Sequence, residues 1–227
     1  MRTRAIIVAI DGPSGAGKGT VARTIAQRLA YRHVDTGAMY RAVAWKACHD
    51  GVDLNDAEAV AAIASRAQFT LDTRVAIDGR DVTDAIRTPE IDEAAAIVAR
   101  HPPVRAALVA RQRRMGEERG IVMEGRDIGS VVFPEAEVKV YLDAAPDERA
   151  RRRAGDPAHQ AGRTAGAVGT VAEALAARDR IDRTRAVSPL TQAADAVYLD
   201  TTGVPVEDVV ERVMALVSRV LTRPAPA

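Results

Sequence analysis

The sequence predicts an α/β fold: a five-stranded parallel sheet flanked by helices, interrupted once by a small antiparallel insert. Three observations carry that reading. Short, wholly apolar runs recur along the chain. Segments with apolar residues at helical spacing separate them. A glycine-rich turn follows the first run. A strand buried on both faces is a continuous hydrophobic segment, and right-handed crossovers then place helices on both sides of the sheet.

Residues 5–10 (AIIVAI) are the first such strand, ending at Asp11. Residues 20–29 follow as a helix, with Val21, Ala22, Ile25, Ala26 and Leu29 on one face. A very short strand at 33–35 precedes helices over 38–48 and 57–67. Residues 69–82 (FTLDTRVAIDGRDV) alternate apolar and polar side chains around Asp78-Gly79, the pattern of an antiparallel ribbon with a tight turn. Thr88-Pro89 opens a helix to about residue 100, His101-Pro102-Pro103 breaks it, and a basic helix resumes over 104–118. Three more buried strands are expected at 121–123, 138–142 and 196–199. Residues 149–169, rich in Arg, Gly and Ala, have weak periodicity, whereas 172–185 and 206–221 are helical and 223–227 is a frayed tail. Ligands of such sheets sit beyond the carboxyl ends of the strands, which directs attention to Asp11, Asp35, Glu124 and Asp143 onward.

The 227 residues are 47% hydrophobic and 28% charged, which excludes a disordered chain, and with 3% aromatics the core must be built from Ala, Val, Leu and Ile. The single cysteine, Cys48, excludes an internal disulfide and Cys-rich zinc sites. No apolar run reaches the roughly 18–20 residues of a membrane span, and only six apolar residues follow the basic start before Asp11, too few for a signal peptide; a cytoplasmic protein without a membrane partner is expected. The net charge of +1 is made from 29 Arg and 3 Lys against 31 acidic residues. Arginine is the planar, bidentate ligand of phosphate, but the near-neutral total argues against a nucleic-acid partner.

Strand, glycine-rich turn and helix occur together at Gly12, Pro13, Ser14, Gly15, Ala16, Gly17, Lys18, Gly19 and Thr20. Backbone N–H groups of such a loop converge on phosphate oxygens, the helix N-terminus adds positive potential, and Lys18 meets the β- and γ-phosphates. The alternative, a turn that merely reverses the chain, leaves the lysine and its spacing unexplained. The hydroxyl comes one place later than in the general pattern, at Thr20, which is the candidate metal ligand for Mg²⁺.

A phosphoryl-transfer enzyme needs a second site for the acceptor, built to neutralise charge. Four segments offer arginines for it. Thr36, Tyr40 and Arg41 begin the helix after the second strand, Arg126 and Asp127 lie between glycines after the third core strand, and Arg178, Asp182 and Arg185 share one helical face at i, i+4 and i+7. The run 149–153 reads either as a solvated charge cluster or as an arginine-bearing lid.

Taken together and in order, IDGPSGAGKGT, DTGAMYR, EGRDIGSVVFPEAEVKVYLDA and RDRIDRTRAVSPL resemble the bacterial cytidylate kinases, over about residues 7–200. The resemblance implies a P-loop kinase fold with a lid and an insert that extends a monophosphate-binding domain. The core would then be residues 1–65 and 104–222, with the lid at about 150–170 and the insert at 66–103. It implies ATP as donor, CMP and dCMP as acceptors, Mg²⁺, and a monomer. It places ATP on Gly12 to Thr20, the acceptor phosphate among Thr36, Tyr40, Arg41, Arg126 and Arg185, the cytosine edge at Arg105 and Asp127, the ribose at Arg178 and Asp182, and Arg153 in the lid. Lys18, Arg126, Arg185 and Arg153 would be the catalytic cations. One departure is Ala96, where the family commonly has a hydroxyl near the base. The rivals are a P-loop kinase of another small acceptor, UMP or a non-nucleotide, and a non-catalytic nucleotide switch.

Overall fold

The structure, a computed structural model, describes residues 5–156, 167–185 and 187–222. In chain order the elements are β1 (Ile7–Asp11), α1 (Lys18–Leu29), β2 (Arg32–Asp35), α2 (Thr36–His49), α3 (Ala57–Arg66), β3 (Phe69–Leu71), β4 (Val75–Ile77) and β5 (Arg80–Asp81). They continue with α4 (Pro89–Val98), α5 (Pro102–Met115), β6 (Ile121–Gly125), β7 (Val138–Asp143), α6 (Pro146–Ala154), α7 (Ala167–Thr184), β8 (Val197–Asp200) and α8 (Val206–Leu221).

The main sheet has the order β2-β6-β1-β7-β8 and every pairing in it is parallel. Ile6, Val8 and Ile10, with Val122, Val140 and Leu142, pack against Val21 and Ile25 of α1 and Val209, Val213 and Val217 of α8. On the other face Ile7, Ala9, Val34, Ile121 and Met123 meet α2, α3 and α5 in a cluster that continues into the insert through Leu71, Ile77, Ile86 and Ile91. Side chains alternate across a strand, so β1 feeds both cores. Buried Ala38, Ala42, Ala44 and Ala47 let α2 approach closely, as the scarcity of aromatics requires.

The insert forms the sheet β3-β4-β5. Its β4–β5 turn is Asp78-Gly79, with φ of 50° and 76°, the two left-handed residues that a tight hairpin of this hand demands. The single tryptophan, Trp45 on α2, stacks on His49 at 4.8 Å between ring centroids and lies under the Arg80 guanidinium of β5 at 5.2 Å. Arg80 Nη1 and His49 Nε2 are 2.8 Å apart, so this stack fastens the ribbon to α2.

Several expectations change. The two prolines after His101 do not delay α5; they form its first turn, where a missing N–H costs nothing. The strand at 196–199 is β8, an exposed sheet edge rather than a buried strand, with Tyr198 half exposed. The segment of weak periodicity holds α6 and the start of α7. Pro146, Asp147 and Glu148 open α6 and Arg151 to Arg153 close it, so charge placement along the helix dipole substitutes for an apolar stripe. The proposed lid lies partly outside the described residues, at 157–166, as does the 223–227 tail. A π-helical turn at Ile128–Val132 and a 3₁₀ turn at Ala85–Arg87 have no periodic signature in so few residues.

Candidate active site

The glycine loop connects the carboxyl end of β1 to the N-terminus of α1. Gly12 is dictated by close approach: a Cβ there would lie 1.9 Å from the Leu142 carbonyl oxygen of β7. Gly17, at φ 89°, is the left-handed residue that turns the chain into α1. Lys18 folds back so that Nζ donates to the Pro13 carbonyl at 2.7 Å. Burial, and secondarily the Arg126 charge, push its ammonium down to about 7, against the opposing pull of Glu124, Asp35 and Asp11.

A cleft of about 820 Å³ opens in front of this loop. It gathers Ser14 to Thr20 with Thr36, Tyr40, Arg41, Arg105, Arg126, Asp127, Arg153, Arg178, Asp182 and Arg185 on a single wall-to-wall surface. Of the residues singled out from sequence, Gly12 and Pro13 are not part of that wall; they lie buried beneath the loop.

Asp35 caps α2 by accepting from the Ala38 amide at 3.1 Å and pairs with Arg41 Nη2 at 2.8 Å. Burial alone would raise its pKa, but Arg41 and the Ala38 amide hold it at about 2. Thr36 Oγ donates to the Glu124 carbonyl at 2.7 Å, tying the start of α2 to the end of β6. Glu124 itself, 6% exposed, sits 3.0 Å from His33 Nε2. Arg105 and Asp127 are both buried and pair with each other, with the Arg105 guanidinium also 5.7 Å over the Tyr40 ring. Burial pushes the Tyr40 hydroxyl up to about 12.

Asp182 on α7 binds Arg126 Nε at 3.0 Å through one oxygen and lies 3.6 Å from Arg185 Nη1 through the other. Burial works against the Arg126 charge, yet Asp182 holds its pKa above the ordinary value. Arg178 turns instead to Asp92 of α4, at 3.3 Å, and Arg153 of α6 pairs with the same carboxylate. Burial lowers the pKa of Arg178 first, with Arg126 adding repulsion, and lowers that of Arg185, where Arg105 does the same. Nε of Arg41, Arg105 and Arg178 and Nη2 of Arg185 are buried without a hydrogen-bond partner among the described residues. Buried donors are ordinarily satisfied, so a surface this cationic with open N–H groups is suited to a polyanion.

The run 149–153 is not a solvated charge cluster. Arg149 is buried and binds Asp179 at 2.6 Å, and Arg152 binds Glu148 and the Thr201 carbonyl. Sequence reasoning assigned no role to Arg152 or Arg87 of the cleft wall, nor to Asp92 and Asp179, which pair with Arg153, Arg178 and Arg149. The partners of the two carboxylates lie 61 and 30 residues along the chain, so no spacing advertises them. Ala95 of α4 and Ala99 at its C-cap form this part of the wall, and Ala96 is not among the residues that line it. Asp11 directs both carboxylate oxygens away from the loop, accepting from the amides of Ile128 and Gly129 at 2.7 Å each.

No three His, Cys, Asp or Glu side chains gather into a metal cage among the described residues. The exposed Thr20 hydroxyl, in the first turn of α1 and on the cleft wall, suits a cation held jointly with phosphates, which is how Mg²⁺ is usually bound. No helix among the described residues is long and apolar enough to cross a membrane.

The family profile described as cytidylate kinase matches residues 8–219. A cytidylate kinase of Solibacter usitatus is 48% identical over 217 residues, covering 95% of this chain and 94% of its own. One from Desulfitobacterium hafniense is 46% identical over 213 residues, covering 92% and 91%. A bifunctional pantoate ligase/cytidylate kinase of Synechococcus is 48% identical over 92% of this chain, which spans 44% of that longer protein. Among solved structures, a gluconokinase from Sinorhizobium meliloti superposes with a TM-score of 0.51 at 16% identity, covering 97% of this chain and 95% of that one. A shikimate kinase from Bacteroides thetaiotaomicron gives 0.50 at 13%, covering 95% and 99%, a likeness of fold alone.

Proposed function

The chain belongs to the cytidylate kinase family, and from that premise we propose which of its residues carry the ATP-dependent phosphorylation of CMP, with dCMP as a second acceptor. The observation that supports the site map is the set of open, buried guanidinium N–H groups facing the phosphate loop across one cleft.

ATP lies with its phosphates over the loop from Ser14 to Thr20, where the amides of α1 and Lys18 converge; Gly12 and Pro13 support the loop from below. Thr20 would hold Mg²⁺ together with those phosphates, and the ion would supply neutralisation of phosphate charge. CMP places its phosphate among Arg41, Arg126 and Arg185, beside Thr36 and Tyr40. The attacking oxygen of CMP is already anionic near neutral pH, so no strong general base is needed. The cations offset repulsion between two anionic substrates and stabilise charge in the transition state. Arg153 on α6 closes the site from the lid side and excludes water. The core at 1–65 and 104–222 and the insert at 66–103 frame this cleft. Action as a monomer in the cytoplasm, on nucleotides rather than nucleic acid, belongs to the same proposal.

Asp127 accepts from the cytosine amino group and Arg105 donates to N3 or O2; uracil mismatches the first with its 4-carbonyl and a contact at N3 with its N3 proton. A coupled assay of ADP release with CMP, dCMP, UMP, AMP and GMP tests the reading: CMP and dCMP should lead by orders of magnitude. Comparable turnover of UMP would remove Arg105 and Asp127 from base recognition.

Asp182 accepts from the ribose hydroxyls. Asp182→Ala should therefore lower kcat/KM for CMP more than for dCMP, on top of a loss common to both from releasing Arg126 and Arg185. Equal losses would confine Asp182 to holding the two arginines.

Because Ala96 is off the cleft wall, Ala96→Ser is expected to leave the CMP-over-UMP ratio of kcat/KM within about twofold. A hydroxyl that reached the base would raise it roughly fivefold, the worth of one ordinary hydrogen bond.

A further inference from the structure

Asp11 is one of the most completely buried carboxylates in the molecule, at 4% exposure, and the phosphoryl-transfer scheme above gives it no task. It ends β1 one residue before the phosphate loop, yet its side chain serves the opposite substrate. Oδ1 accepts from Ile128 N and Oδ2 from Gly129 N. These amides immediately follow Arg126 and Asp127, at the start of the π-helical turn Ile128–Val132. The turn is gripped from the other side as well: a Cβ on Gly129 would come within 3.2 Å of the Lys139 side chain and 3.4 Å of Asp11 Oδ2. Lys139 is itself fixed by Asp195, at 2.7 Å. One carboxylate on the central strand thus holds two consecutive amides of the backbone that presents Arg126 and Asp127 to the cleft.

We propose that Asp11 is a positioning residue for the acceptor: its ionised carboxylate holds the loop carrying Arg126 and Asp127, and so sets the affinity for CMP rather than for ATP. This rests on the reading of Arg126 and Asp127 as acceptor residues. The ionised form matters because only a carboxylate accepts from both amides. A protonated Asp11 offers one acceptor and one donor, the pattern of asparagine, and leaves one amide facing a donor. Burial raises its pKa to about 6; the two amides and, more weakly, Lys18 of α1 oppose that rise, and the neighbouring Asp127 charge adds to it. The carboxylate is therefore ionised at neutral pH and takes up a proton as the pH falls through about 6, at which point the grip on the loop weakens.

The test is Asp11→Asn, with wild type alongside, from pH 5.5 to 7.5. At pH 7.5 the variant should show a KM for CMP raised about tenfold or more, the scale of one lost hydrogen bond to a charged group, with the KM for ATP within about twofold. On acidification the wild-type advantage in kcat/KM for CMP should shrink towards unity with a midpoint near 6. Ionisation of CMP itself cancels in that ratio. In wild type, independently of how the variant folds, the amide resonances of Ile128 and Gly129 should shift with a shared midpoint near 6. A pH-independent ratio, an equal rise in the KM for ATP, or amides that do not titrate would each overturn the proposal. Arg126→Ala separates it from its premise. If that variant keeps wild-type CMP kinetics, the acceptor assignment falls and the claim on CMP affinity falls with it, while titrating amides would still establish the carboxylate's hold on the loop.

Discussion

Lys18→Ala is expected to lower kcat by roughly 10²-fold or more while the protein stays folded. The ammonium is the only lysine charge in the cleft wall among the described residues, and preorganised cations aimed at developing charge contribute about 3–4 kcal/mol each to transition-state stabilisation. The fold should survive because the single hydrogen bond of Nζ goes to the Pro13 carbonyl, and α1 is held by Val21, Ala22 and Ile25. The same residue predicts a pH effect on binding. Its pKa is pushed down to about 7, so above neutrality the amine is largely uncharged, whereas phosphates beside it favour the ammonium. ATP binding at pH 8 should thus take up a proton, and affinity should decline as pH rises above 7. Calorimetry in buffers of different ionisation enthalpy measures that proton directly. An unchanged kcat in a folded variant would remove Lys18 from the transfer step.

Arg126→Ala and Arg185→Ala should each lower kcat/KM for CMP by roughly 10- to 100-fold, since a hydrogen bond to a charged group contributes ~1.5–3 kcal/mol, and should leave the KM for ATP near wild type. The two share Asp182, so the double variant should lose less than the product of the single losses. Removing either also leaves Asp182 with one cation fewer in a buried site, and a rescue of part of the loss by Asp182→Asn would measure that share. A fall in ATP affinity in place of CMP affinity would move both arginines to the donor side.

The phosphate loop was legible because its meaning is local: strand, glycines, lysine and helix follow one another without interruption over Ile7–Leu29. The shared face of Arg178, Asp182 and Arg185 was legible for the same reason, since helical geometry fixes it. What stayed hidden depends on distance along the chain. Arg153 and Asp92 are 61 residues apart, and Arg149 and Asp179 are 30 apart, so a buried ion pair looked like a solvated run. Helix α6 escaped because its buried side of Arg149 and Ala150 offers no apolar stripe, although proline, acids and then bases marked its ends. Edge and centre were also indistinguishable in sequence: β7 and β8 are both apolar, and only strand order exposes the second.

The stack on α2 turns the chain into its own optical probe. With a single indole, all tryptophan emission comes from Trp45, whose neighbours His49 and Arg80 report whether the insert's hairpin is seated on α2. Trp45 is not part of the cleft wall, so nucleotide has no direct route to quench it. A change in intensity on adding CMP is therefore a signal of displacement of the hairpin, and a silent titration with turnover intact means that the insert works without shifting there.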